Sequence, residues 1–215
     1  MNIRRHITAG ICALLLMGCT SSAPGHGVYL LLDTSGTYTQ ELAKAQNIIN
    51  YILGTLNSGD SFGVARIDSG SFSEKDILMR VTFDERPTVA NDQKRKFKQV
   101  IDSFASNVKS ASHTDITGGL LQAIEWLNEV NPGQKTVLIF SDMEEDIKKG
   151  QIRDFPIEMM GVRVIALNVT KLGSDNIDPR EYLERLEYWK SRVETGGGTW
   201  KVINDLERIE TIMDT

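Results

Sequence analysis

Cysteine is scarce and poorly placed for disulfides: the chain of 215 residues has only Cys12 and Cys19, both near its N-terminus. Whatever folds beyond them has no thiol and no possible bridge, so its stability must come from a hydrophobic core. Basic charge is in deficit, with 24 Lys and Arg against 29 Asp and Glu. Arg4 and Arg5 lie in the first 18 residues, which contain no acid, so the remainder carries 22 basic against 29 acidic side chains. An acidic domain gives no support to nucleic-acid binding. The apolar stretch Ile7–Met17 is too short to cross a bilayer comfortably. No internal repeat or low-complexity tract is visible, and roughly 190 residues suffice for one sizeable domain rather than two.

What is present begins with a leader. Arg4 and Arg5 precede the apolar stretch, which ends in Leu16-Met17-Gly18-Cys19. This pattern resembles a bacterial lipoprotein signal. The resemblance implies a signal peptide over 1–18, cleavage before Cys19 and a lipid on that cysteine. The product would be held in the cell envelope, on the periplasmic face or at the outer membrane. An ordinary secretory signal with an incidental cysteine is the alternative. Residues 19–26, with Thr20-Ser21-Ser22-Ala23-Pro24-Gly25, read as a tether, and 27–213 as the folded domain.

The domain opens on Val28-Tyr29-Leu30-Leu31-Leu32, an apolar run typical of a strand buried on both faces. Leu42, Ala45, Ile49, Ile52, Leu53 and Leu56 then recur at helical spacing. Phe62–Ile67 and the alternating Ile77, Met79, Val81 and Phe83 predict two strands. A polar link at Asp68-Ser69-Gly70-Ser71 makes them an antiparallel hairpin. Phe97, Val100, Ile101, Phe104 and Val108 mark a second helix, and Ile116, Leu120, Ile124 and Leu127 a third. Val137–Phe140 and Val162–Leu167 are further strands, Pro179 opens a helix through about Val193, and Thr199–Ile203 is the last strand. Asp205 would cap a closing helix with Leu206, Ile209 and Met213 inward. The expected fold is a doubly wound α/β, Rossmann-like architecture: a mostly parallel six-stranded sheet, helices on both faces and one antiparallel edge strand. Right-handed crossovers would set the first strand beside Val137–Phe140, making a topological switch point where ligands bind beyond the strand ends.

Three oxygen-rich loops would meet there. The first is Asp33-Thr34-Ser35-Gly36-Thr37, the second holds Thr114 in Ser112-His113-Thr114-Asp115-Ile116, and the third holds Asp142 after Ser141. The set resembles the metal-ion-dependent adhesion site of von Willebrand factor A domains: an Asp-x-Ser-x-Ser/Thr loop, a distant Thr and an Asp after a central strand. The likeness covers about residues 27–213. It implies that Ser35 and Thr37 bind a cation through their hydroxyls and that Thr114 does so directly or through water. Asp33 and Asp142 would hold coordinating waters and orient the hydroxyls. An all-oxygen set suits Mg²⁺, Mn²⁺ or Ca²⁺ and disfavours zinc or copper. With neutral inner ligands the cation keeps charge enough to accept an acidic side chain from a partner protein, so the site is expected to bind and not to catalyse.

Two departures stand out: Thr37 replaces a frequent Ser, preserving the hydroxyl, and Met143 occupies a position where Gly is frequent, so a different turn is expected there. Glu144, Glu145 and Asp146 read as surface acidity and His113 as a loop hydrogen-bonder. Thr195-Gly196-Gly197-Gly198-Thr199 precedes a strand and reads as a helix stop, not a phosphate loop. Trp126, Trp189 and Trp200 read as packing residues. Other readings stay open. The Asp33 loop also suits a helix-capping turn in a metal-free scaffold. Leu32-Asp33-Thr34-Ser35-Gly36-Thr37 also looks like the haloacid-dehalogenase phosphatase signature Asp-x-Asp-Gly-Thr, with Ser35 in place of the general acid.

Overall fold

The computed structural model describes residues 25–36, 41–170, 172, 174–205 and 210. Cys19, Thr37 and the closing-helix positions Leu206, Ile209 and Met213 lie outside the described residues. In chain order the elements are β1 (His26–Asp33), α1 (Leu42–Thr55), β2 (Ser61–Ile67), β3 (Ile77–Thr82), α2 (Pro87–Asn107), α3 (Ile116–Val130), β4 (Gln134–Phe140), β5 (Val162–Leu167), α4 (Pro179–Thr195) and β6 (Thr199–Ile203).

The strands form one sheet in the order β3-β2-β1-β4-β5-β6. Only the edge pair β2–β3 is antiparallel. The run of leucines in β1 makes sense at this position. With β2 on one side and β4 on the other, both of its faces are covered, so alternation with polar residues is not required. Its period of two divides the core. Val28, Leu30 and Leu32 face α1 and α2, together with Leu138, Phe140 and Ile165 of neighbouring strands. Tyr29 and Leu31 face α3 and α4, together with Val137, Ile139 and Val164. Trp126 and Trp189 are buried in this second layer, and Trp200 packs on it partly buried.

Two local features differ from the sequence reading. β1 starts at His26, whose N–H donates to Asp60 Oδ1 at 2.7 Å, so the strand reaches into the stretch read as tether. In α2, Phe97 and Ile101 are buried but Val100 is 40% exposed, and the helix stops before Val108. A two-stripe reading of a helix overcounts the inner face when only one stripe points at the sheet. The β4–β5 crossover, where the sequence reading placed no element, contains no helix; residues 141–161 run as irregular backbone.

Candidate functional site

β1 and β4 run parallel in register, with Leu32 opposite Phe140, so the loops after both strands emerge at the same sheet edge. The helix following β1 packs on one face and the helix preceding β4 on the other. This is the switch point, and Asp33 and Asp142 both stand at it.

Asp33 is fully buried. Its Oδ1 accepts the Ser35 N–H at 2.8 Å, and its Oδ2 accepts the Ser141 hydroxyl at 2.7 Å. The same Ser141 Oγ accepts the Met143 N–H at 3.0 Å, so one carboxylate ties the first loop to the third. Thr34 O accepts the Ala111 N–H at 2.9 Å, tying the first loop to the second. Thr114 and Asp146 exchange backbone hydrogen bonds of 2.9 and 3.0 Å, tying the second to the third. Thr114 itself is buried and Ser35 only partly so. Three segments remote in sequence are thus laced into one rim.

Burial raises the pKa of Asp33. Asp142, 9% exposed, is pushed up to about 6, chiefly by burial, with the charge of Asp33 adding to it and the Glu144 N–H (2.9 Å) opposing it. Two buried carboxylates, one of them further raised by the charge of the other, form an environment that a divalent cation would relieve. Among the described residues no three His, Cys, Asp or Glu side chains cluster as for a metal, so a cation here must draw on hydroxyls. The donor set these loops offer, the carboxylates of Asp33 and Asp142 with the hydroxyls of Ser35 and Thr114, is all oxygen and suits a hard cation.

Neither a protein-family model nor a curated protein sequence matches the chain. Solved structures do match. The pilus adhesin SpaC of Lactobacillus rhamnosus GG in its open conformation superposes with a TM-score of 0.55 at 12% identity, over 89% of this chain and 29% of the adhesin. A von Willebrand factor type A protein of Catenulispora acidiphila gives 0.53 at 12% identity, over 88% of this chain and 41% of that one. This chain has the von Willebrand factor A fold. The minor pilin PilB of Streptococcus sanguinis shares it, at 0.54 and 10% identity, over 90% of this chain and 61% of the pilin. The chain therefore spans less than two thirds of each of these three.

Within this von Willebrand factor A fold, Met143 sits in a turn that favours glycine. It adopts φ 66 itself, in the left-handed region, while fully buried. That conformation costs a side-chain-bearing residue about 1–2 kcal/mol. It is held by Ser141 Oγ on the Met143 N–H, by the Trp189 indole N–H donating to Met143 O at 2.9 Å, and by the core around α3 and α4.

The acidic residues after Asp142 have partners in the scaffold. Glu145 accepts the Thr117 N–H at 2.6 Å at the start of α3 and lies 3.8 Å from Arg192. Glu144 lies 3.5 Å from Arg185, and Asp146 pairs with His113 Nδ1 at 2.9 Å. His113 is thus the loop hydrogen-bonder expected. Sequence reasoning passed over Asp115, Ser141 and three arginines. Asp115, fully buried, caps α3 by accepting the Gly118 N–H at 2.8 Å, and also takes the Ser71 N–H and the Arg153 guanidinium. A Cβ on Gly118 would stand 2.5 Å from Asp115 Oδ2, so the cap requires glycine there. Arg185 donates to Asp142 O at 3.0 Å while pairing with buried Asp175. The capping signal of Asp115 was available in Asp115-Ile116-Thr117-Gly118. The arginine pairings, each spanning ten or more positions, have no local signature.

The phosphatase reading finds little to work with. Asp33 has no exposed surface and both oxygens already accept hydrogen bonds, which is no presentation for a nucleophile.

Proposed function

We propose that the chain is a non-enzymatic, divalent-cation-dependent protein-interaction module, exported and held to a bacterial membrane by a lipid on Cys19. The observation that carries the reading is the pair of buried carboxylates, Asp33 and Asp142, at a switch point whose three loops are laced together. Ser35, Thr37 and Thr114 would supply hydroxyls to Mg²⁺, Mn²⁺ or Ca²⁺, and Asp33 and Asp142 would orient them and hold water. When bound, the ion supplies an incompletely compensated positive charge that takes a carboxylate from a partner. Two of the structural neighbours are described as a pilus adhesin and a minor pilin, which favours an adhesive role outside the cytoplasm by fold analogy.

A ligand that binds only the folded state stabilises it by about 2.7 kcal/mol at a hundredfold excess over Kd. The full chain should therefore melt at higher temperature in Mg²⁺ or Mn²⁺ than in EDTA. Asp33→Ala should remove the shift, and so should Ser35→Ala, whose partly exposed site leaves folding intact. In parallel, Cys19→Ala should move the chain from the membrane to the soluble fraction. No cation response in the parent across millimolar ions would reject the cation site, and normal membrane retention of Cys19→Ala would reject the anchor.

A further inference from the structure

Eight large apolar side chains stand exposed among the described residues, and six of them fall between residues 152 and 188. Single exposed apolar residues are ordinary, but two of these six, Phe155 and Tyr188, line one groove, and apolar side chains that share a groove are candidates for an interaction surface. Ile152, 75% exposed, lies on the irregular β4–β5 crossover, and Leu183, 64% exposed, on the outer side of α4. Between those two elements runs a groove of about 580 Å³ with Phe155, Pro156, Ile157 and Tyr188 among its walls. A second hollow of about 370 Å³, against Met143–Glu145, shares Glu184 and Tyr188 with it. The groove thus continues toward the Asp142 loop.

The charge of this groove is one-sided. Its ionised lining consists of Asp154, Glu184 and Glu187 against Arg192. Arg192 is committed inward, donating to Thr117 Oγ1 at 2.8 Å and to the backbone oxygens of Arg153 and Phe155. Arg153 and Arg185 are likewise committed, to Asp115 and Asp175. Lys190 lies 3.6 Å from Glu187, but both are well exposed, and such pairs contribute little. The groove therefore offers apolar walls with two aromatic side chains, Phe155 and Tyr188, and a negative rim.

We propose that this groove docks a partner protein through a short segment in which Lys or Arg flanks an aliphatic or aromatic side chain. The apolar side chain fills the space against Phe155, Ile157 and Tyr188, where aromatic surface binds with little entropic loss. The cation faces Glu184, Glu187 and Asp154, and this complementarity sets which segments are accepted. The site is separate from the cation rim and takes no metal.

The test is selection of displayed random peptides on the full chain in EDTA, which silences the cation site. Enrichment of Lys or Arg next to apolar residues is expected. A recovered peptide, followed by fluorescence anisotropy, should bind at least about tenfold more weakly to the Glu184→Lys/Glu187→Lys double variant, a change of about 1.4 kcal/mol. Its binding should weaken with salt and, at matched ionic strength, be the same in Mg²⁺ as in EDTA. Both substituted positions are exposed, so a melting curve matching the parent's establishes that the double variant is folded. No enrichment, enrichment of acidic or uncharged peptides, or affinity indifferent to the charge reversal would overturn the docking surface. Peptide binding that Mg²⁺ changes at matched ionic strength would also overturn it, by assigning the peptides to the cation rim instead.

Discussion

At the scale of single residues, the site is organised by Ser141 as much as by the aspartates. Its hydroxyl donates to Asp33 Oδ2 and accepts from the Met143 N–H, so one oxygen holds both the carboxylate and a left-handed turn. Ser141→Ala leaves a buried carboxylate oxygen and a buried amide each short of a partner. The cost of such orphaned groups is about 1–3 kcal/mol, and chemical denaturation should register it as a lower midpoint with an unchanged slope. Asp33 and Asp142 could be placed at one crevice from the sequence because each follows an apolar strand, where a change from carbon to oxygen is visible locally; Ser35 follows in the first loop, and Thr114 precedes the helical stripe that begins at Ile116. Ser141 was seen only as the place where a strand stops. Its partner is 108 positions away, and no local periodicity encodes a contact of that range. Met143 was legible as an anomaly, but its outcome depended on how much tertiary structure holds it.

At the scale of elements, the irregular β4–β5 crossover is fastened by arginines. Arg153 reaches from it to Asp115 at 2.7 Å, and Asp115 caps the helix that follows Thr114. The Asp115 carboxylate is almost fully buried and Arg153 mostly so. Removing one partner of a buried pair costs about 3–5 kcal/mol because a charge is left uncompensated. Arg153→Ala should fall near the lower end, since Asp115 keeps the Gly118 and Ser71 amides, and Arg153→Ala/Asp115→Asn should recover part of the loss. A double-mutant cycle by thermal or denaturant unfolding measures this; additive losses would mean the pair is not coupled. The six strands and four helices among the described residues were legible because hydrophobic period reports burial directly. The path of the crossover was not, because nothing in 141–161 repeats at either period and the sequence reading placed no element there. Val100 was misplaced because periodicity cannot tell a helix that packs along one narrow stripe from one that is broadly covered.

At the scale of the whole molecule, the topology makes the site. With β1 central and the strand order turning about it, two loops that carry carboxylates must open at the same edge, with helices on opposite faces to leave a crevice. That much followed from the order of elements and the right-handed crossover rule. The exposed groove along α4 did not, because its walls come from a crossover with no readable pattern and from the side of a helix that looks merely polar. The central claim is that the rim formed by Ser35, Thr114, Asp33 and Asp142 holds a hard divalent cation. The most direct measurement is anomalous diffraction from crystals of the chain grown or soaked in Mn²⁺. An anomalous peak at this rim, absent in crystals of Ser35→Ala, is the predicted result. A rim without anomalous density in crystals that carry Mn²⁺ elsewhere would contradict it.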